Sequence, residues 1–188
     1  MAVFGGTFDP PHVGHLVVAS EVRYRGGFDE VLLMVANDPW QKHGTREITP
    51  ASVRYEMVAA AVAGNDGLVA SNLEIGRGGP TYTIDTVEQL TAGPDVDVTV
   101  VLGADAVAGL DSWHRAEDLA SMVSIVAVAR QMLEDVWTML RKDVVYQDAN
   151  ELKSLHEVKN EVVPGEAETS RVAIHSTQVE VIAPDVAG

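Results

Sequence analysis

Two hydrophobic periods alternate along this chain, one suited to buried strands and one to amphipathic helices. Met1-Ala2-Val3-Phe4 forms a short apolar strand, and Leu16, Val17, Val18, Ala19 and Val22 fit a helix beginning near Pro11. Proline's fixed φ suits that first helical position. Gly26 and Gly27 break the pattern before Val31-Leu32-Leu33-Met34-Val35-Ala36, an unbroken apolar run that predicts a strand covered on both faces. Thr49-Pro50 reads as a capped helix start and Gly64 as its end, with Val53, Met57, Ala60 and Ala61 as the buried stripe. Residues 68–75 alternate as a strand, and Thr83 caps a helix through Leu90. Further strands follow at 96–102 and 124–129. Repeated strand and helix predict an α/β fold, a doubly wound parallel sheet with helices on both faces.

Beyond about residue 130 the pattern changes. Met132, Val136, Met139 and Leu140 could share one helical face with Trp137 at its margin, 161–170 reads as an exposed loop, and Val179-Glu180-Val181-Ile182 reads as strand. The expected organisation is a core over 1–130 and a divergent part, 131–188, packed on the same domain.

Composition narrows the chemistry. A chain of 188 residues with 46% hydrophobic and 22% charged residues can bury one sizeable core. It contains no cysteine, which excludes disulfides, zinc thiolates and thiol nucleophiles. The apolar runs are too short for a membrane span and the start lacks a signal-peptide pattern, so the expectation is a cytoplasmic protein with no membrane partner. A net charge of −15 opposes nucleic-acid binding. A small anionic substrate remains compatible if cations gather locally, as Lys42, Arg46 and Arg54 could. Each of them could instead be ordinary solvated charge or, for Arg54, a structural ion pair. Oligomeric state stays open, homo-oligomerisation included.

The most informative stretch is Gly5-Gly6-Thr7-Phe8-Asp9-Pro10-Pro11-His12-Val13-Gly14-His15, a turn joining the first strand to the first helix. Glycines admit close backbone approach, and first-turn amides at the positive end of the helix dipole favour an anion. His12 and His15 share one helical face and add adjustable donors, although an isolated pair of this spacing could be surface residues or half of a metal site. Asn37-Asp38-Pro39-Trp40-Gln41-Lys42-His43-Gly44 lies at the carboxyl end of a strand, the edge where open α/β sheets bind ligands. Arg77-Gly78-Gly79-Pro80 makes a tight loop that leaves Thr81 and Tyr82 at its mouth. Gly103 and Asp105 follow a strand directly. Asp105 could accept hydrogen bonds from a ribose or cap the next helix, and Trp113 could stack on a ring or belong to the core.

Taken whole, the first stretch resembles the signature of the nucleotidylyltransferase superfamily with the His-x-Gly-His motif, and most of all its nicotinate mononucleotide adenylyltransferases. That resemblance covers nearly all of the first 130 residues and implies a Rossmann-like fold that transfers adenylate from ATP to nicotinate mononucleotide. His12 and His15 would then be catalytic, stabilising the α-phosphate and the departing pyrophosphate, with magnesium arriving on the ATP phosphates. Gly5, Gly6, Thr7, Phe8, Gly103 and Asp105 would bind ATP. Thr81 and Tyr82 would recognise the pyridine end of the mononucleotide, Trp113 would stack on its ring, and Lys42, with Arg46 second, would face substrate phosphates. Asp9 suits a turn organiser better than a base. The resemblance breaks at the tail. The family's Ile-Ser-Ser-Thr-x-x-Arg is met here only by Ile174-His175-Ser176-Thr177-Gln178-Val179-Glu180. Ser176 and Thr177 carry over to the ATP phosphates, but glutamate stands where arginine would. Two alternatives follow: an adenylyltransferase acting on the amidated mononucleotide or phosphopantetheine, and an inactive or gated nucleotide-binding protein.

Overall fold

The computed structural model describes residues 1–39, 47–93, 96–128, 171–174 and 177–182. Strands β1 (Ala2–Gly6), β2 (Val31–Val35), β3 (Leu68–Ser71), β4 (Thr99–Gly103), β5 (Ser124–Val128), β6 (Arg171–Ile174) and β7 (Thr177–Ile182) make one sheet, ordered β3-β2-β1-β4-β5-β7-β6. All its pairings are parallel except the one between β6 and β7. The described helices are α1 (Val13–Gly26), α2 (Ala51–Val62), α3 (Leu73–Arg77), α4 (Thr83–Leu90), α5 (Ala104–Ala108) and α6 (Ala116–Met122).

Strand β2 explains the double winding. Val31, Leu33 and Val35 pack with Val18 and Val22 of α1 and Val58 and Val62 of α2. Leu32 and Met34 point the other way, into a second cluster with Ile84 and Val87 of α4 and Leu119 of α6. A strand has period two, so only a continuous apolar run can serve two cores. Each such side chain contributes roughly 1.5–3 kcal/mol when fully buried. The doubly wound α/β fold is therefore as the pattern predicts, and among the described residues no helix is long and apolar enough to cross a membrane.

Several local expectations need correction. Helix α1 begins at Val13, two residues after Pro11, with His12 as its extended N-cap, and Gly27 closes it in the left-handed region at φ 65°. In α2 the buried residues are Arg54, Val58 and Val62, while Val53 is 42% exposed, so the stripe lies one position later than the hydrophobic count suggests. That count passed over a buried arginine. Pro50, not Thr49, is the N-cap of α2, and the helix ends at Val62. The strand expected over 68–75 stops at Ser71, and Leu73–Arg77 is helical, which turns Glu74 inward. Thr83 is the first residue of α4 and Tyr82 its N-cap. The strand expected over 96–102 is formed at Thr99–Gly103. Met132, Val136, Trp137, Met139, Leu140 and the loop expected over 161–170 lie outside the described residues.

Candidate active site

The sheet order reverses between β1 and β4. From β1 the chain winds outward to β2 and β3, and from β4 it winds the other way to β5, so a crevice opens beyond the carboxyl ends of the two central strands. A cavity of about 260 Å³ occupies it. Its floor and near wall come from Val3, Phe4, Gly5, Gly6 and Thr7 of the first strand and turn, and from Val100, Val101, Leu102 and Gly103 of β4. Pro39 after β2, Glu74 of α3, Thr81 and Tyr82 of the tight loop, Thr83 and Thr86 of α4, Trp113 and His114 complete it. Most of the wall is apolar carbon, and the polar groups enter at particular points.

Glycine has different reasons at neighbouring positions. A Cβ at Gly5 would meet no atom within 4 Å, which leaves its face of the turn open. A Cβ at Gly6 would stand 2.8 Å from the Phe8 ring, so the protein itself requires glycine there. Phe8 is accordingly not an ATP contact by its side chain: it is 2% exposed, adopts φ 48° and belongs to the core cluster beneath α1.

The two histidines stand beside the cavity rather than in its lining. His15 packs edge-on against Phe8, with centroids 4.9 Å apart, and 6.1 Å from Phe4, which does line the cavity. The His12 and His15 rings stack at 3.7 Å. The backbone N–H of His12 donates to His15 Nδ1 at 3.1 Å. A neutral His15 therefore carries its proton on Nε2, as a hydrogen-bond donor. The exposed His12 and half-buried His15 thus present adjustable donors at the helix N-terminus.

Arg54 holds the rim. It is 1% exposed, and its guanidinium donates through Nη1 to the Thr7 carbonyl at 2.7 Å, through Nε to Thr49 at 2.7 Å and through Nη2 to Asn37 at 3.1 Å. Burial pulls its pKa below the ordinary arginine value, with Asp9 opposing that shift. Asp9 also accepts from the Thr49 backbone N–H at 3.1 Å, as a turn organiser would. Of the two roles left open for Arg54, the structure supports the internal one, met by carbonyls in place of a single ion-pair partner. The fork ties together the turn after β1, the segment after β2 and the entry to α2. From there the tie continues: Asn37 Nδ2 donates to the Gly79 carbonyl at 2.9 Å, and Asp38 and Thr81 exchange bonds at 3.1 and 3.2 Å.

The structure thus brings Gly5, Gly6, Thr7, Gly103, Thr81, Tyr82 and Trp113 to one cavity. Asp105 is exposed in the first turn of α5, between the lining residues Gly103 and Ala106. Lys42, Arg46 and Ser176 lie outside the described residues. Thr177 does not join the site. Ile182 pairs with Val128, which pairs with Gly103 at the crevice edge, so Thr177 begins β7 at the opposite edge, roughly 16 Å away along the strand. Glu180, which stands where the motif has arginine, lies within that strand, opposite Val126.

Glu74, Thr86 and His114 were missed from sequence. Glu74 falls in a stretch that alternates like a strand, and Thr86 sits mid-helix without a turn signal. His114 packs against Tyr82 with centroids 4.4 Å apart and ring planes tilted by 35°, and only its position after Trp113 pointed to it.

A family model described as cytidylyltransferase-like matches residues 3–180. Over 136 residues the chain is 46% identical to a "Probable nicotinate-nucleotide adenylyltransferase" of Acidothermus cellulolyticus, covering 69% of this chain and 65% of that protein. It is 44% identical to a protein of the same name from Streptomyces coelicolor over 127 residues, or 67% of each. The chain thus spans less than two thirds of the length of the Acidothermus relative. Among solved structures, the Plasmodium falciparum nicotinic acid mononucleotide adenylyltransferase complexed with NaAD superimposes with a TM-score of 0.59 at 20% identity, over 69% of this chain and 63% of that one. A likeness at that identity speaks for the fold alone. With its switch-point cavity, its His-x-Gly-His turn and a match from residue 3 to residue 180, the chain belongs to the cytidylyltransferase-like family.

Proposed function

We propose that the protein transfers adenylate from ATP to nicotinate mononucleotide, forming nicotinate adenine dinucleotide and pyrophosphate for NAD biosynthesis, in the cytoplasm. The observation that carries the reading is the cavity at the β1–β4 switch point, flanked by the histidine-bearing turn and closed by Thr81, Tyr82 and Trp113. The relatives' names support the same substrate.

An oxygen of the mononucleotide phosphate attacks the α-phosphorus of ATP, the bond to the β-phosphate oxygen breaks, and pyrophosphate leaves. The nucleophile is already anionic, so no base is required. Catalysis consists of alignment and of offsetting charge on the transferred phosphoryl group. His15 donates from Nε2, His12 stands beside it, and Lys42 and the α1 amides add positive potential. Magnesium enters bound to the ATP phosphates, as part of the substrate.

Pyrophosphate release from magnesium-ATP tests the reading, with nicotinate mononucleotide, its amide and phosphopantetheine supplied separately. Release with the first acceptor alone is expected; release with another in its place reassigns the acceptor. His15→Ala should lower turnover roughly 10²- to 10³-fold, the effect of removing one oriented donor, and unchanged turnover would refute its role. A second reading has a specific observation behind it: Glu180 and Thr177 lie on a strand, Thr177 at the far edge of the sheet. ATP binding without turnover on any acceptor would favour that gated or inactive nucleotide-binding protein.

A further inference from the structure

The loop that carries Thr81 and Tyr82 is held at two levels. Its outer part is pinned to the segment after β2 through Asn37, Asp38 and Thr81. Its base is spanned by a relay, buried at Thr86 and Glu74, that the adenylyl-transfer chemistry leaves unused. Arg77 Nη2 of α3 donates to Thr86 Oγ1 of α4 at 3.0 Å, and that hydroxyl donates to Glu74 Oε1, back on α3, at 2.6 Å. The hydroxyl has one proton, and it is committed to the carboxylate, so the relay runs in one direction. Thr86 is 1% and Glu74 5% exposed, and both line the cavity.

The two helices flank the loop, so the relay fixes the distance between its ends. Burying a carboxylate beside an apolar cavity is costly unless it is hydrogen-bonded, and burial does push the Glu74 carboxyl above the ordinary range while the Thr86 bond and Arg77 offset part of that rise. A hydrophobic pair would hold two helices together with less cost, but without direction. The polar relay sets a geometry.

We propose that Glu74 and Thr86 are positioning residues for the acceptor nucleotide: the Arg77–Thr86–Glu74 relay sets the Thr81–Tyr82 wall of the cavity, and with it affinity for the mononucleotide rather than for ATP. This rests on the adenylyl-transfer reading for its substrate, but not for its structural half. Thr86→Val keeps the shape and deletes the hydroxyl, while Thr86→Ser keeps the hydroxyl and deletes a methyl. With both variants folded by circular dichroism, Thr86→Val should raise the KM for nicotinate mononucleotide roughly five- to tenfold, the value of one buried hydrogen bond. The KM for ATP and kcat should move less than about twofold, and Thr86→Ser should restore the mononucleotide KM. Amide hydrogen exchange in the substrate-free protein should be faster in Thr86→Val at Thr81, Tyr82 and Thr83 than in α2. Equal rises in both KM values, or failure of serine to rescue, would overturn the assignment. Should the wild-type chain turn over no acceptor, the adenylyl-transfer reading fails by itself, and exchange then decides: unchanged protection in 78–83 overturns the relay.

Discussion

Arg54 and Glu74 are the charged side chains buried among the described residues, and they are satisfied in opposite ways. Arg54 spends its fork on three backbone carbonyls, from Thr7, Asn37 and Thr49. Backbone carbonyls cannot turn away, so the cation fixes the loops and stays internal. Glu74 rests on a side-chain hydroxyl that itself leans on Arg77, and it faces the cavity. Burial shifts both toward neutrality, down for the base and up for the acid. One buried charge thus builds the rim and the other tunes a wall, a difference that burial alone would not reveal.

The largest expected effect belongs to Arg54. A lysine there is a point charge that cannot span the three carbonyls, so Arg54→Lys should lose about 2–4 kcal/mol in urea unfolding, as buried acceptors lose their donors. It should also raise the KM for both nucleotides. A loss under about 1 kcal/mol would show that the fork is replaceable and would break the contrast with Glu74.

Glu74→Gln has a smaller effect with a distinctive pH signature. Because its carboxyl pKa is raised in the folded protein, the native state holds that proton more tightly than the unfolded chain does. Its contribution to stability is therefore present at low pH and is lost as pH rises from the ordinary glutamate value of about 4.3 through the raised one. Arg77 and Asp85 act on it with opposite signs, and desolvation outweighs both. Glutamine removes the proton exchange, so the difference in stability between variant and wild type should shift in favour of the variant across that interval. Parallel pH profiles would mean that Glu74 is ordinarily solvated. The smallest effect is expected from Asn37→Ala, which cuts the link from the Arg54 rim to Gly79 at an exposed bond. It should cost about 0.5–1 kcal/mol at most. A larger loss would show that rim and wall are one unit.

Legibility followed the range of the interactions. The apolar run at Val31 to Ala36 shows double-sided burial at once, because period two leaves no other use for it. The Gly5 to His15 turn carries its glycines and both histidines in consecutive residues, so it could be picked out as a candidate site before any fold was known. Arg54 could be noticed but not assigned, since its partners at Thr7 and Asn37 are far away in the chain. Glu74 was hidden more completely. Leu68 to Ile75 alternates like a strand, whereas Leu73–Arg77 is helical and the Glu74 carboxylate meets the Thr86 hydroxyl of α4, a partner the local pattern does not indicate.

The chain's local order therefore determined the doubly wound sheet, the glycine-rich turn between β1 and α1 and the strand character of the tail around Glu180. Tertiary structure alone decided that Gly6 answers to Phe8, that Thr177 starts its strand at the sheet edge opposite the crevice, and that Arg54 and Glu74 take different parts around one cavity. The physical reason is that periodicity and turn chemistry act over a few residues, whereas the satisfaction of a buried polar group depends on partners brought near only once the sheet has formed.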